Sequence, residues 1–264
     1  MHGVEQTVSH STLRRNRFMF CIGFALGEDF KILGVLFDAQ LRMHSATRAI
    51  ATEAGWRLQT LMNARQYFST PELFRLYKSQ ILSYIESSTP AIYHAAVSVL
   101  ERVDRVQSRF LRNVGFTEFS ALKNFRLAPL AARRDIAMLG ALHRITLGLA
   151  PPQMAILFPG IGAIAEPAAR QNLRYWRPRH NRQLATPVTF RSSDVLQRSV
   201  FGLVGCYNRL PQQVIDISSV KGFQRCLQFA LLQSAEFGLD NLRNLYSVEW
   251  RMPAARFHGL FDSM

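Results

Sequence analysis

Cysteine is scarce in this chain: Cys21, Cys206 and Cys226 are its only three, and they lie far apart. That spacing excludes a zinc knuckle built from paired ligands and a disulfide framework, and it suits a reduced, intracellular protein, nuclear or cytoplasmic. Acidic residues are also few, 18 against 32 basic ones, giving a formal net charge of +14 and a pI near 10.6. Lysine is nearly missing from the basic set, which is 28 Arg and 4 Lys. No window reaches the 18 or so apolar residues of a membrane span, so no membrane partner is expected. A basic stretch before an apolar one in "TLRRNRFMFCIGFALG" faintly resembles a signal peptide, but no small-residue cleavage site follows it.

The residues that catalysis needs are missing in the same way. Two-metal chemistry requires converging carboxylates, and the only adjacent acidic pair is Glu28-Asp29, which reads as a solvated turn before a strand. The seven histidines stand singly, with no HxxxH or HExxH spacing, and His143 reads as a packing residue on a helix. There is no Gly-x-Ser-x-Gly elbow, Walker lysine loop or dinucleotide glycine fingerprint. The expectation is therefore no catalytic residue, no metal, no cofactor and no small-molecule substrate.

At 264 residues and 48% hydrophobic, the chain has enough material to bury one large core or two modest ones. The pattern predicts a mainly α protein. Residues 1–17 are polar and aperiodic and read as a disordered N-terminus. Residues 18–44 read as a β-hairpin, with Gly23, Gly27 and Gly34 as bends. A helical bundle follows over 45–150. Ser45 caps a first helix at 46–66, with Ile50, Ala54, Leu58, Leu61 and Arg65 on one face and Gly55 weakening its middle. In "STPELFRLYKSQILSYI" the order Thr70, Pro71, Glu72 marks a helix start. Val99, Leu100, Val103, Val106, Phe110, Leu111 and Val114 mark a third helix that stops near Gly115. A fourth runs from about Leu130 to Leu149, burying Ile136, Leu139, Leu142, Ile145 and Leu149 before Pro151-Pro152. Residues 151–194 read as a basic linker rich in Pro and Arg. Residues 195–264 form a small C-terminal helical segment, in which "VLQRSVFGLVGCYNRLPQQVI" and "SSVKGFQRCLQFALLQSAEFG" each read as one helix, the second capped by Ser218 or Ser219.

What remains is binding. A polyanion, RNA or DNA, is the partner that a surplus of arginine suits, because the guanidinium forks onto phosphate and releases counterions. Arg102, Arg105, Arg109 and Arg112 recur every three or four residues, which aligns them as one stripe opposite the apolar face. Arg133-Arg134 are placed either to contact phosphate or to cap the local fold. In "RYWRPRHNR", Arg174, Arg177 and Arg179 alternate with Tyr175 and Trp176, a pattern that stacks on bases while pairing with phosphates, or equally a docked linker covering a core.

Several motifs taken in order resemble one family. "FKILGVLFDAQLRMH", with Lys31, Leu33, Gly34, Val35 and Asp38, resembles the primer-grip hairpin that follows the palm in reverse transcriptases of non-LTR (LINE-type) retrotransposons. Leu76, Tyr77, Lys78 and Tyr93, then Leu100, Asp104, Gln107, Leu111 and Arg112, are similar to the helices of that family's thumb and the stretch after it. "PLAARR" and "YNRLP" resemble its later elements, with Tyr207 where Trp is usual, so the likeness covers about residues 29–230. The family's catalytic Ala-Asp-Asp palm motif has no counterpart in this sequence, nor has its endonuclease or a cysteine-rich knuckle. The resemblance implies a C-terminal portion of such an enzyme, without polymerase activity of its own, binding RNA or an RNA–DNA hybrid without sequence preference. In this reading Lys31 and Gly34 lie near the primer end, and a separate palm-bearing chain is a possible partner. A non-catalytic helical interaction protein, or a pseudogene product with no present role, stays open beside it.

Overall fold

The computed structural model describes residues 29–161, 179–185, 194–238 and 242–247. Among these the chain is mainly α, opened by one two-stranded antiparallel hairpin. Strands β1 (Phe30–Ile32) and β2 (Val35–Phe37) pair Phe30 with Phe37, Lys31 with Leu36 and Ile32 with Val35. Leu33 (φ 48°) and Gly34 (φ 85°) turn between them. Positive φ at both turn positions suits a tight hairpin, so the turn itself requires Gly34. Residues 18–28, the rest of the expected hairpin region, and residues 1–17 lie outside the described residues.

Helix α1 (His44–Asn63) is entered through Asp38, whose carboxylate accepts from the backbone N–H of Arg42 (2.7 Å) and Met43 (2.6 Å). The expected cap at Ser45 is thereby corrected: the chain is already fixed one turn earlier, and Met43 holds the N-cap position. Arg65 falls beyond the helix, in a 3₁₀ turn over Arg65–Tyr67. Helix α2 (Thr70–Leu76) takes Ser69 rather than Thr70 as its N-cap, because Ser69 and Glu72 form a capping box in which the Ser69 N–H and hydroxyl both donate to Glu72. The helix then loosens into a π-helical stretch, Tyr77–Leu82, and continues as α3 (Ser83–Ser87) and the short α4 (Thr89–Ile92).

Helix α5 (Val97–Val114) ends at Gly115, where φ of 76° lets the Gly115 and Phe116 N–H groups close back onto the last turn. After α6 (Glu118–Phe125), α7 (Leu130–Thr146) stops three residues earlier than expected. Gly148, at φ 70°, and Leu149 bond back to Ile145 and Arg144, which leaves Leu149 exposed rather than buried. The helices α1 to α6 enclose one core, with Phe74 stacked on Phe125 (3.8 Å between ring centroids) and Tyr77 on Phe110 (4.1 Å).

A second core lies on the other side of α7. Ile136, Leu139, Leu142 and Ile145 pack there against α12 (Val220–Glu236), which Ser219 caps through the Gly222 N–H. The single helix expected ahead of α12 is instead a broken path: α9 (Asp194–Arg198), a 3₁₀ turn (Val200–Leu203), α10 (Val204–Arg209) and α11 (Gln212–Ile215). Pro211 accounts for the break between α10 and α11, since it removes a donor and biases Leu210 to extended backbone. Within 151–194, read as a linker, Pro152–Leu157 is helical (α8), and residues 179–185 dock on the second core.

Asn208 explains that docking. Its side chain accepts from the Leu184 N–H (2.9 Å) and donates to the Leu184 carbonyl (2.8 Å), taking the place of a paired strand. Gln183 adds a bond to the Asn208 carbonyl and Arg182 one to Ile215, while His180 is buried against Tyr207.

His143 is a packing residue, as its pattern suggested. It lies fully buried and stacked on Phe223 at 4.1 Å, with Nδ1 against the Tyr207 hydroxyl and Nε2 against the Ile217 carbonyl. Burial pulls its pKa below the usual value, so the ring is neutral, with Nε2–H donating to Ile217 and Nδ1 accepting from Tyr207.

Candidate nucleic-acid interface

Helices α1 and α5 pack side by side, and between their outer edges lies an open cleft of about 620 Å³. From α1 it takes Arg48, Ala51, Thr52, Gly55, Trp56 and Gln59, which lie at intervals of three and four and so share one stripe. From α5 it takes Arg102, Arg105, Arg109 and Arg112, with Leu58 and Val106 at its base. The stripe expected on α5 is therefore one wall of a groove. Its opposite wall, with Arg48, Gly55 and Trp56, was not among the expected site residues.

Among the described residues no acidic side chain lines the cleft. Among the described residues Arg48, Arg102, Arg109 and Arg112 make no ion pair, and Arg105 reaches Glu101 only at 4.0 Å while 76% exposed. Such an exposed pair is worth little. Arginines three and four apart on one helix repel by a few tenths of a kcal/mol per pair, and an anion in the cleft relieves that cost.

Arg133 and Arg134 face elsewhere. Arg134 is buried and grips the Asp104 carboxylate with both terminal nitrogens, at 2.5 and 3.0 Å. Arg133 donates to Glu86 at 2.5 Å with its side chain 18% exposed. The geometry is that of a brace: Arg134 holds Asp104 with both terminal nitrogens and Arg133 holds Glu86 through Nε, so carboxylates tie α7 to α5 and α3. Gln107 completes the junction by donating to the Ala128 carbonyl at 3.0 Å. Next to it the Tyr93 hydroxyl donates to Asp135 at 2.6 Å, and burial pushes that carboxyl up to about 7.

The remaining expected contacts are dispersed. Lys31 and Gly34 are exposed on the hairpin, outside the cleft lining. Arg179 is exposed, near the Arg209 carbonyl at 3.4 Å on the second core. Arg174, Trp176 and Arg177 lie outside the described residues. Lys78 caps α6 through the Phe125 carbonyl, and burial lowers its pKa. Among the described residues no group of three or more His, Cys, Asp or Glu side chains is placed to hold a metal ion, and no helix is long and apolar enough to cross a membrane.

Comparison with known proteins gives no match, whether with protein-family models, curated proteins or solved structures.

Proposed function

We propose that this chain is a non-catalytic nucleic-acid-binding module of the kind that follows the palm in non-LTR retrotransposon reverse transcriptases, holding RNA, DNA or their hybrid in the cleft between α1 and α5. The observation that carries the reading is the set of five arginines lining that cleft without an acidic residue among them. Guanidinium groups left without partners are suited to phosphate, and their contacts are independent of sequence. The order of hairpin, helical bundle and C-terminal helical segment agrees with what the motif resemblance implies, and the residues of those motifs interlock. Asp104 and Gln107 from one motif bind Arg134 and the residue before Pro129-Leu130 from the next.

One observation favours a protein partner as well. At the hairpin tip Leu33 is 99% exposed, flanked by exposed Ile32 and Leu36. A palm-bearing chain is the partner this apolar tip would suit.

Fluorescence anisotropy with labelled single-stranded RNA, single-stranded DNA and hybrid oligomers at physiological salt tests the nucleic-acid reading. It expects binding that Arg105→Glu/Arg109→Glu weakens. Absence of binding to all three would leave the chain as a protein-interaction module.

A further inference from the structure

Trp56 is 68% exposed in the wall of the arginine cleft. Among the described residues no aromatic ring stacks on it and no cation covers it, whereas its neighbour Arg57 is engaged with Glu53, the Gln80 carbonyl and the face of Tyr84. An indole left bare beside a row of arginines is placed to receive a flat, electron-rich or neutral ring whose attached charge is negative.

Gly55, beside it, is the second observation. Glycine in a helix interior weakens the helix, yet a Cβ at position 55 would meet nothing within 4 Å. Packing inside the protein does not call for glycine there. Its effect is to leave the α1 backbone open in the cleft wall beside Trp56.

We infer that Trp56 is a stacking platform for an unpaired base, so that the cleft takes a single strand of RNA or DNA in preference to a duplex. The strand's phosphates lie along the five arginines of the cleft, and one base enters beside Gly55 to lie on the indole. A base inside a duplex is stacked and paired on both sides and offers no free face, whereas every unpaired base offers one regardless of sequence. The cleft, about 620 Å³, has room for a base and its sugar. This inference rests on the nucleic-acid reading of the cleft.

The test uses the full chain with fluorescently labelled oligothymidylate of about 10 nucleotides, a base-free oligomer of equal length, and a duplex. Trp56→Ala is expected to lose roughly ten- to a hundred-fold in affinity for the single strand with an unchanged salt slope. Trp56→Phe is expected to keep most of the affinity. The wild type should bind the base-free oligomer as weakly as Trp56→Ala binds the normal one, and its intrinsic fluorescence should be quenched more on binding than that of Trp56→Ala. Equal affinities of wild type and Trp56→Ala, or a duplex bound as tightly as the single strand, would overturn the inference. If Arg105→Glu/Arg109→Glu still weakens binding in that case, the cleft remains the phosphate site and only the stacking role falls. If no oligomer binds at all, the nucleic-acid reading falls and takes the stacking role with it.

Discussion

The Asp104–Arg134 pair gives a prediction whose two arms differ in size for a physical reason. The Arg134 side chain is 6% exposed and Asp104 is 17% exposed, so the two ends are desolvated unequally. Asp104→Ala leaves a guanidinium buried without its counter-ion, a defect that costs about 3–5 kcal/mol. Arg134→Met leaves the better-hydrated carboxylate behind and fills the space with an apolar chain, so its cost is smaller, about 1–3 kcal/mol. For a chain of this size the first should lower the melting temperature on the order of 10 °C. Urea melts of the two variants and of the Asp104→Leu/Arg134→Met double variant measure the asymmetry. The double variant should be more stable than Asp104→Ala, since no unpaired charge remains. Folded Arg134→Met should also bind oligonucleotide with an unchanged salt slope, because its guanidinium faces Asp104 and not the cleft. An Asp104→Ala cost no larger than that of Arg134→Met would refute the desolvation argument, and a flattened salt slope in Arg134→Met would return this residue to the interface.

Two further outcomes follow from the interior. Burial raises the pKa of the Asp135 carboxyl to about 7 in the folded protein, from an ordinary value of 3.8, with the Tyr93 hydroxyl and Arg134 pulling the other way. The folded state then keeps a proton that the unfolded chain releases between about pH 4 and 7, so this group's contribution to stability falls as pH rises through that window and is level above it. The stability of the wild type relative to Asp135→Asn should drop on the order of 4 kcal/mol across it, whereas a difference independent of pH would contradict the account. At the second core, Asn208→Ala removes both bonds to Leu184 and should cost about 2–3 kcal/mol. Amide exchange at 180–185 should accelerate selectively, and unchanged protection there would show that the segment is held by other contacts.

Local signals in the sequence located the long elements. The Gly115 stop, the Pro71-Glu72 start and the Ser219 cap each act within one turn of backbone, and α5, α2 and α12 begin or end at those signals or within a residue or two of them. The misses at helix ends come from short-range bonds that the apolar period does not register. Asp38 governs the start of α1 from outside the helix, and Gly148 ends α7 although the apolar period continues to Leu149. The π-helical stretch at Tyr77–Leu82 carries no signal in its composition.

The candidate site was half legible because its two walls come from segments distant in the chain. A stripe of arginines on α5 is visible in its own spacing, but its pairing with Arg48, Gly55 and Trp56 depends on how α1 lies against α5. Arg133 and Arg134 show the converse. Two adjacent arginines look alike in a sequence, and only the carboxylates of Glu86 and Asp104, each 30 or more residues away in the chain, show that they are structural.

The most direct test of the central claim is the salt dependence of oligonucleotide affinity, measured for the wild type and for Arg105→Glu/Arg109→Glu. If the five arginines of the cleft engage phosphates on a single strand, log K should fall against log salt with a slope of about −3.5, and the double variant should flatten it to about −2 or less. Equal slopes for the two proteins would show that the cleft between α1 and α5 is not where nucleic acid binds.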